Sequence, residues 1–516
     1  MTDHVLTVST DPIGGVMHTK EAAISVQPGH PDEIAAFAID DPENPFNWSS
    51  RKKSFVMIVG IIAILNSTFD SSLPSGAIDF ITAEFNVTAP IQNALPISIY
   101  LVGYILGPLF FAPLSETYGR RVVMVPSFAL FTIFTLACAL ARDWPSFLFF
   151  RLVCGINASS SIAITSGIYA DIYADPVVRG RAIAFSISVT YTMMVYCHAT
   201  SFGPQLAPLL SGAVSPVSWR WTFWIGFILL GVSLVPVLFL PETFKPVILR
   251  KRAIKLRKKD PSHRIYAPIE LETRDTMEIV TVTLARPIRM FFKEPIVLLS
   301  SLYLAFASAI YFLLFEAYPI IFHGIYKMNY IGAGLAFIPI AVGSILALFI
   351  SMAWDGYFQH ARKHHRPFTS IKEYERVPLA CLGAVCYVVA IFWLGWSASS
   401  NIHWIVPMLS GVPFGAGFVL IFIALLNYMT DAYRELAASA AAAASCTRSI
   451  FGALLPLASS AMYGRLGVPW GMSFLGFVSL VLGLVPFAFI KYGERIRLGK
   501  LKTDQVLDLP YANDIG

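Results

Sequence analysis

GPLFFAPLSETYGRR, Gly107 to Arg121, is the stretch from which the rest of the chain can be placed. An apolar run enters it and another leaves it. Between them lies a turn with one acid, one glycine and two arginines. Such a turn cannot rest in hydrocarbon, where its charges and free backbone groups would go unsatisfied, so it marks a membrane edge. Arginine-rich loops collect on the cytoplasmic side, which says which edge. Gly119 allows a sharp turn and a close approach of two helices. Glu116 sits near the C-terminal end of its helix, where a negative charge opposes the helix dipole, so it calls for a cation. Arg120 and Arg121 are nearest, and another helix could also supply one. A pair made in one conformation and broken in another would be a latch; otherwise the two arginines are topology anchors only.

Composition agrees with a membrane setting. The 516 residues are 56% hydrophobic and 14% charged, against about a quarter charged in an ordinary soluble chain. A spanning helix needs roughly 20 apolar residues, and twelve such runs are present. They are Ser54–Leu73, Ile91–Leu114, Val122–Ala141, Ser146–Tyr169, Ala182–Ala207, Trp219–Leu240, Ile296–Phe322, Gly332–Ala353, Val377–Trp396, Trp404–Met429, Leu436–Tyr463 and Trp470–Lys491. With both termini inside, 32 of the 38 lysines and arginines fall in cytoplasmic segments, four fall outside, and Arg151 and Arg448 lie within runs. That bias sets the orientation. The net charge of +6 therefore reflects loop anchors, not a nucleic-acid partner. The six cysteines all fall in apolar runs and read as free thiols; no spacing suggests a metal site or a cofactor.

The runs divide six and six. Residues 1–50 read as a disordered cytoplasmic tail, 51–240 as one six-helix bundle, 241–295 as a basic middle loop, 296–491 as a second bundle and 492–516 as a short cytoplasmic tail. The halves look like distant copies: Asp70 precedes Pro74 in the first run and Glu316 precedes Pro319 in the seventh, each after a lysine at the entry, Lys53 and Lys293. The fold class expected is an all-α membrane protein of twelve transmembrane helices in two pseudo-symmetric bundles, with a site between them.

Ionisable groups at membrane depth default to functional roles, and four stand out: Asp70, Arg151, Glu316 and Arg448. A carboxylate shielded from water at Glu316 could take up and release protons. Asp70 lies near the outer end of its run and could equally be a solvated mouth residue. His198 can titrate near neutrality or be a hydrogen-bonded core residue, and Asn427 is a polar candidate for a cavity wall. Aromatic residues such as Tyr311, Phe312 and Phe422 could line an apolar cavity. There is no phosphate-binding glycine loop and no zinc-protease or serine-hydrolase motif, so the chain does not read as an enzyme. Asn86-Val87-Thr88 is a weak glycosylation sequon in an outside loop.

Several of these stretches resemble the major facilitator superfamily. Ala112 to Arg121 is similar to the loop between its second and third helices, with Ala112, Glu116 and Thr117 in place of the usual glycine, aspartate and arginine. The form PLSE-x-YGRR resembles fungal drug:proton antiporters with twelve helices. So do Pro241-Glu242-Thr243-Phe244, Phe315-Glu316-Ala317-Tyr318-Pro319 and Thr430-Asp431-Ala432-Tyr433. The resemblance implies a proton-transfer link for Arg151, a conformational latch at Glu116, Gly119, Arg120 and Arg121, and an antiporter-type kinked helix end at Gly203, Pro204, Ala207 and Pro208. In that last motif Ala207 and Pro208 stand where a glycine pair is usual; the segment's packing partner would be the eighth run, with Gly332, Gly334 and Gly343. The function implied is proton-coupled export of small amphipathic compounds by a monomer in the plasma membrane, its partners being the cargo, protons and the lipid bilayer. The alternatives are an uptake or polyamine permease of the same fold and a receptor that does not transport.

Overall fold

The computed structural model describes residues 16–19, 22–25, 33–38, 41–173, 201–259, 265–271, 287–371, 373–433 and 437–504. The first half holds α1 (Ser50–Ser72), α2 (Ile78–Glu84), α3 (Leu95–Tyr118), α4 (Arg120–Ala139), α5 (Trp144–Tyr173), α6 (201–214) and α7 (Arg220–Leu238). Next come α8 (Lys245–Lys259), α9 (Pro268–Leu271) and α10 (287–293), between the halves. The second half holds α11 (Pro295–Tyr318), α12 (Tyr330–Leu335), α13 (Ile338–Lys363), α14 (Glu373–Ser397), α15 (Ile405–Leu409), α16 (Gly411–Ala432), α17 (Ala437–Leu454) and α18 (Ser459–Asp504). Among the described residues, ten helical stretches are long and apolar enough to cross a membrane. The last of them is two helices joined at Gly467, whose φ of +70° breaks the helical run, and α6 ends the fifth expected run. The described residues thus account for eleven of the twelve expected spans and for the end of the fifth.

Each half has its own apolar core, one built around Phe128, Phe131, Phe147 and Phe223 and the other around Tyr387, Val419, Leu420 and Phe489. Lipid is as apolar as a leucine side chain, so helices in a bilayer associate by close packing and not by hydrophobic exclusion. The sequence supplies small residues where this is needed. A Cβ on Gly103 would lie 2.5 Å from Leu152 O, and one on Gly155 would lie 2.8 Å from the Tyr100 carbonyl carbon, so α3 and α5 touch backbone to backbone. Proline at 319 lacks the N–H that would continue the ladder of α11, and the chain passes into a π-helical turn over Pro319–Ile325.

Within the N-terminal tail, expected to be disordered, some of the described residues form strands. Three strands, β1 (Val16–Thr19), β2 (Ala22–Ser25) and β3 (Glu33–Ala36), pair antiparallel, and β3 pairs parallel with β4 (Ile265–Tyr266). The physical reason lies in the middle segment. The apolar face of α8 brings Leu249, Ala253 and Leu256 against Ala35, Ile265 and Ala267, so the tail has something to cover. Asp41 then pairs with Arg252, and Glu270 with Arg257 at 2.8 Å. Within 241–295, the described residues 245–259 and 265–271 thus pack against one another and against β3.

Candidate functional site

At the end of the molecule where α3 turns into α4, Gly119 adopts φ +106°, a conformation that a side chain would strain. The absent Cβ makes room for the Glu242 carboxylate. That carboxylate accepts from the backbone N–H of Arg120 at 2.9 Å and of Arg121 at 3.2 Å, so it caps the positive end of α4. The Arg120 side chain is buried. Its Nε donates to Asp171 at 3.2 Å and its Nη1 to Ser115 Oγ at 2.7 Å. Glu116 is exposed and 3.8 Å away. Arg121 donates to Leu238 O at 3.1 Å. The expected turn cluster is present, but its closest acids are Asp171 and Glu242. An acid just past the apolar stretch of the fourth run was the available signal for Asp171. Glu242 stood inside a quoted motif without a role.

The charges at membrane depth fall into three places. Asp70 and Arg151 meet inside the first half, Nη1 to Oδ2 at 2.7 Å, with both side chains buried. Arg151 also donates to Pro96 O at 3.1 Å, Asp70 O at 3.0 Å and Ser71 O at 3.3 Å, and lies 4.4 Å over the Tyr100 ring. Asp70 Oδ1 has no partner among the described residues. Asp70 is therefore no wet mouth residue. The pair sits behind the wall of a central cavity: Ser71, next in sequence, lines that cavity, and Tyr100 reaches its neighbour Tyr104, also in the wall, at 5.2 Å between ring centres. Neither tyrosine carried a sequence signal.

The cavity lies between the halves, with a volume of about 50 Å³ in this form and an opening to solvent. Thr68, Leu101 and Tyr104 line it from one half and Tyr311, Phe312, Phe418, Phe422 and Arg448 from the other. Arg448 is half-buried, 5.6 Å over the Phe422 ring. Asn427, on the same helix as Phe422, is buried with Nδ2 unpartnered among the described residues and is not among the lining residues. Glu316 is elsewhere, near one end of α11 and half-buried. It forms no hydrogen bond or ion pair among the described residues, and Asp79 is its acidic neighbour. It is thus not grouped with Arg151. His198 lies outside the described residues. Asn86 is exposed on a turn with φ +55°.

The α6 motif closes the Glu316 end. A Cβ on Gly203 would lie 2.8 Å from Leu65 O, and Pro204 O accepts from Ser72 Oγ at 2.8 Å, which binds α6 to α1. Ala207 is buried. A Cβ on Gly334 would lie 2.9 Å from Pro208 O and Leu209 Cα, and one on Gly212 would lie 2.7 Å from Tyr330 O. Gln205 donates to Ser344 Oγ at 3.1 Å and Tyr311 to Ser201 O at 2.9 Å. The two halves therefore meet along α6 and α12–α13 at backbone distance.

Comparison with known proteins agrees with this architecture. Residues 60–456 match the family described as Major Facilitator Superfamily. The chain is 36% identical over 463 residues to the MFS transporter prlG of a fungal species, covering 89% of this chain and 95% of that protein. It is 34% identical to the citrinin biosynthesis cluster MFS transporter mrr1 of Monascus ruber, covering 89% and 90%. It is 35% identical to the multidrug transporter mdrA of Aspergillus fumigatus, covering 89% and 74%. Among solved structures, the proton:xylose symporter XylE superposes with a TM-score of 0.59 at 17% identity, covering 86% of this chain and 96% of that one. Two bundles around one cavity, a paired buried charge and a family match over most of the length lead to one statement: the chain belongs to the major facilitator superfamily, whose members carry small molecules across membranes and are not enzymes.

Proposed function

We propose that this transporter exports small amphipathic organic compounds in exchange for protons, by alternating access of the central cavity. The observation that carries the reading is the Asp70–Arg151 pair directly behind the cavity wall, with one carboxylate oxygen unpartnered among the described residues. A proton arriving at Asp70 Oδ1 neutralises the carboxylate and leaves the Arg151 guanidinium held by carbonyls and the Tyr100 ring. This alters the wall at Ser71 and Tyr104 without moving charge through the cavity. The arginine-rich Arg120 end faces the cytoplasm by the loop-charge rule, so the seam of α6 against α12 closes the outer side and this is the inward-facing form. Glu316, at that outer end, is the entry point for protons. The Arg120, Asp171 and Glu242 cluster holds the inner ends of α3, α4 and α5 together as the halves rock. The protein works as a monomer in the plasma membrane with both termini in the cytoplasm.

A polyamine cargo has less support. No carboxylate lines the cavity among the described residues, and residues 176–200 contain neither aspartate nor glutamate. The test is transport by the full chain in vesicles under an imposed pH gradient, with Asp70→Asn and Glu316→Gln compared with wild type. Asp70→Asn should abolish proton-driven accumulation while leaving exchange of cargo against cargo. Proton-driven export undiminished in both variants would overturn the coupling scheme.

A further inference from the structure

A guanidinium facing a cavity at membrane depth is costly unless an anion or water compensates it. Arg448 is in that position. Among the described residues, the arginines with buried side chains are matched: Arg151 by Asp70, Arg120 by Asp171, Arg376 by Asp355 at 3.2 Å. Arg448 has no ion pair or hydrogen bond among the described residues, and its one close neighbour of this kind is the Phe422 face. The rings beside it form a ladder. Tyr311 and Phe418 stack at 4.7 Å with 14° between planes, and Phe418 and Phe422 lie 4.6 Å apart. Ser308 and Ser449 add hydroxyls to the same wall. One cation at the end of an aromatic ladder, with no acid lining the cavity among the described residues, is complementary to a flat conjugated frame that ends in an anion.

We infer that the cargo is an organic anion, a carboxylate or an ionised acidic enol on a planar aromatic or conjugated frame. Its charge pairs with Arg448 and its rings lie against Phe422, Phe418 and Tyr311. The inference rests on the transport reading above and gives that reading a substrate class. The neutral and cationic forms of the same frame are discriminated against, because neither supplies the guanidinium with a counter-charge.

The experiment compares three probes with one ring system: 2-naphthoate, its uncharged amide 2-naphthamide, and 2-naphthylmethylammonium. Binding to the purified full chain is measured by calorimetry, and uptake is measured in vesicles. Wild type should bind the carboxylate at least tenfold more tightly than the amide, and the ammonium most weakly. Arg448→Gln should bring the carboxylate to the affinity of the amide and leave the amide within twofold of wild type; Arg448→Lys should keep the order with a smaller gap. The inference is overturned if no probe binds wild type, if the wild-type gap is under threefold, if the ammonium binds best, or if Arg448→Gln leaves the gap unchanged. Should Arg448→Gln lose the amide too, Arg448→Lys decides, by keeping the order or losing it. Vesicles separate the two claims. Transport of all three probes alike sinks the anion class and leaves the transporter, whereas discriminating binding without movement does the reverse.

Discussion

Neutralising one member of the Asp70–Arg151 pair should cost more than neutralising both. Both side chains are buried, and removing one partner of a buried ion pair costs about 3–5 kcal/mol because the survivor is left uncompensated. The structure also makes the two single changes unequal. After Asp70→Asn, Arg151 still has the carbonyls of Pro96, Asp70 and Ser71 and the Tyr100 ring, so its loss falls at the lower end of that range. After Arg151→Gln, Asp70 loses the guanidinium on Oδ2 and has nothing on Oδ1 among the described residues, so its loss falls at the upper end. The double variant leaves two neutral amides facing each other, and its deficit should be smaller than that of Arg151→Gln alone. Thermal unfolding of the detergent-purified full chain reads the order. At about 2 °C or less per kcal/mol for a chain of this length, Arg151→Gln should lower the midpoint most, by up to about 10 °C, and the double variant should regain part of it. Additive losses, or a double variant less stable than either single, would refute the idea that the two charges are energetically coupled.

Two further outcomes are expected. Gly334→Val places side-chain atoms against Pro208 O and Leu209 Cα, which would lie only 2.9 Å from a Cβ at this position, so the Glu316 end cannot close; a cysteine at position 205 in a cysteine-free background should react several-fold faster with a membrane-impermeant maleimide, while Gly231→Val, which meets nothing within 4 Å, should change nothing. Glu84, between spans, joins α2 to α7 through Trp219 and Arg220. Its partial burial favours the protonated acid, but the hydrogen bonds from Trp219 and Arg220 outweigh this and hold the carboxyl below its usual 4.5. A depressed folded value means a contribution present above about 4.5 and lost as pH falls through the folded value, under about 1 kcal/mol for so exposed a pair. Glu84→Gln should flatten the acid side of the stability profile between about pH 5 and 3, and an unchanged slope would count against the pairing.

What could be read from the chain and what could not divides along one physical line. Span positions follow from apolar length, and the family from Gly107–Arg121 and its companion motifs, because each is a local property. Arg151 and Asp70 were legible as costly charges but not as each other's partners, since 81 positions separate them and only the packing of α1 against α5 brings them together. The tail's strands were illegible for the same reason: their apolar partner face is on α8, beyond all the spans of the first half. The same line bears on gating. Arg120–Asp171, Arg151–Asp70, Arg220–Glu84 and Arg376–Asp355 each lie within one half, so they ride with that half when it rocks and set its shape. The contact between halves at the Glu316 end includes glycine against carbonyl, tilted ring pairs such as Phe80 and Tyr330 with centres 4.8 Å apart, and the Gln205–Ser344 bond. Packing of this kind, unlike a buried ion pair, exposes no uncompensated charge when it parts. A gate that must open and close in every cycle is better made from it than from the arginines that first draw the eye.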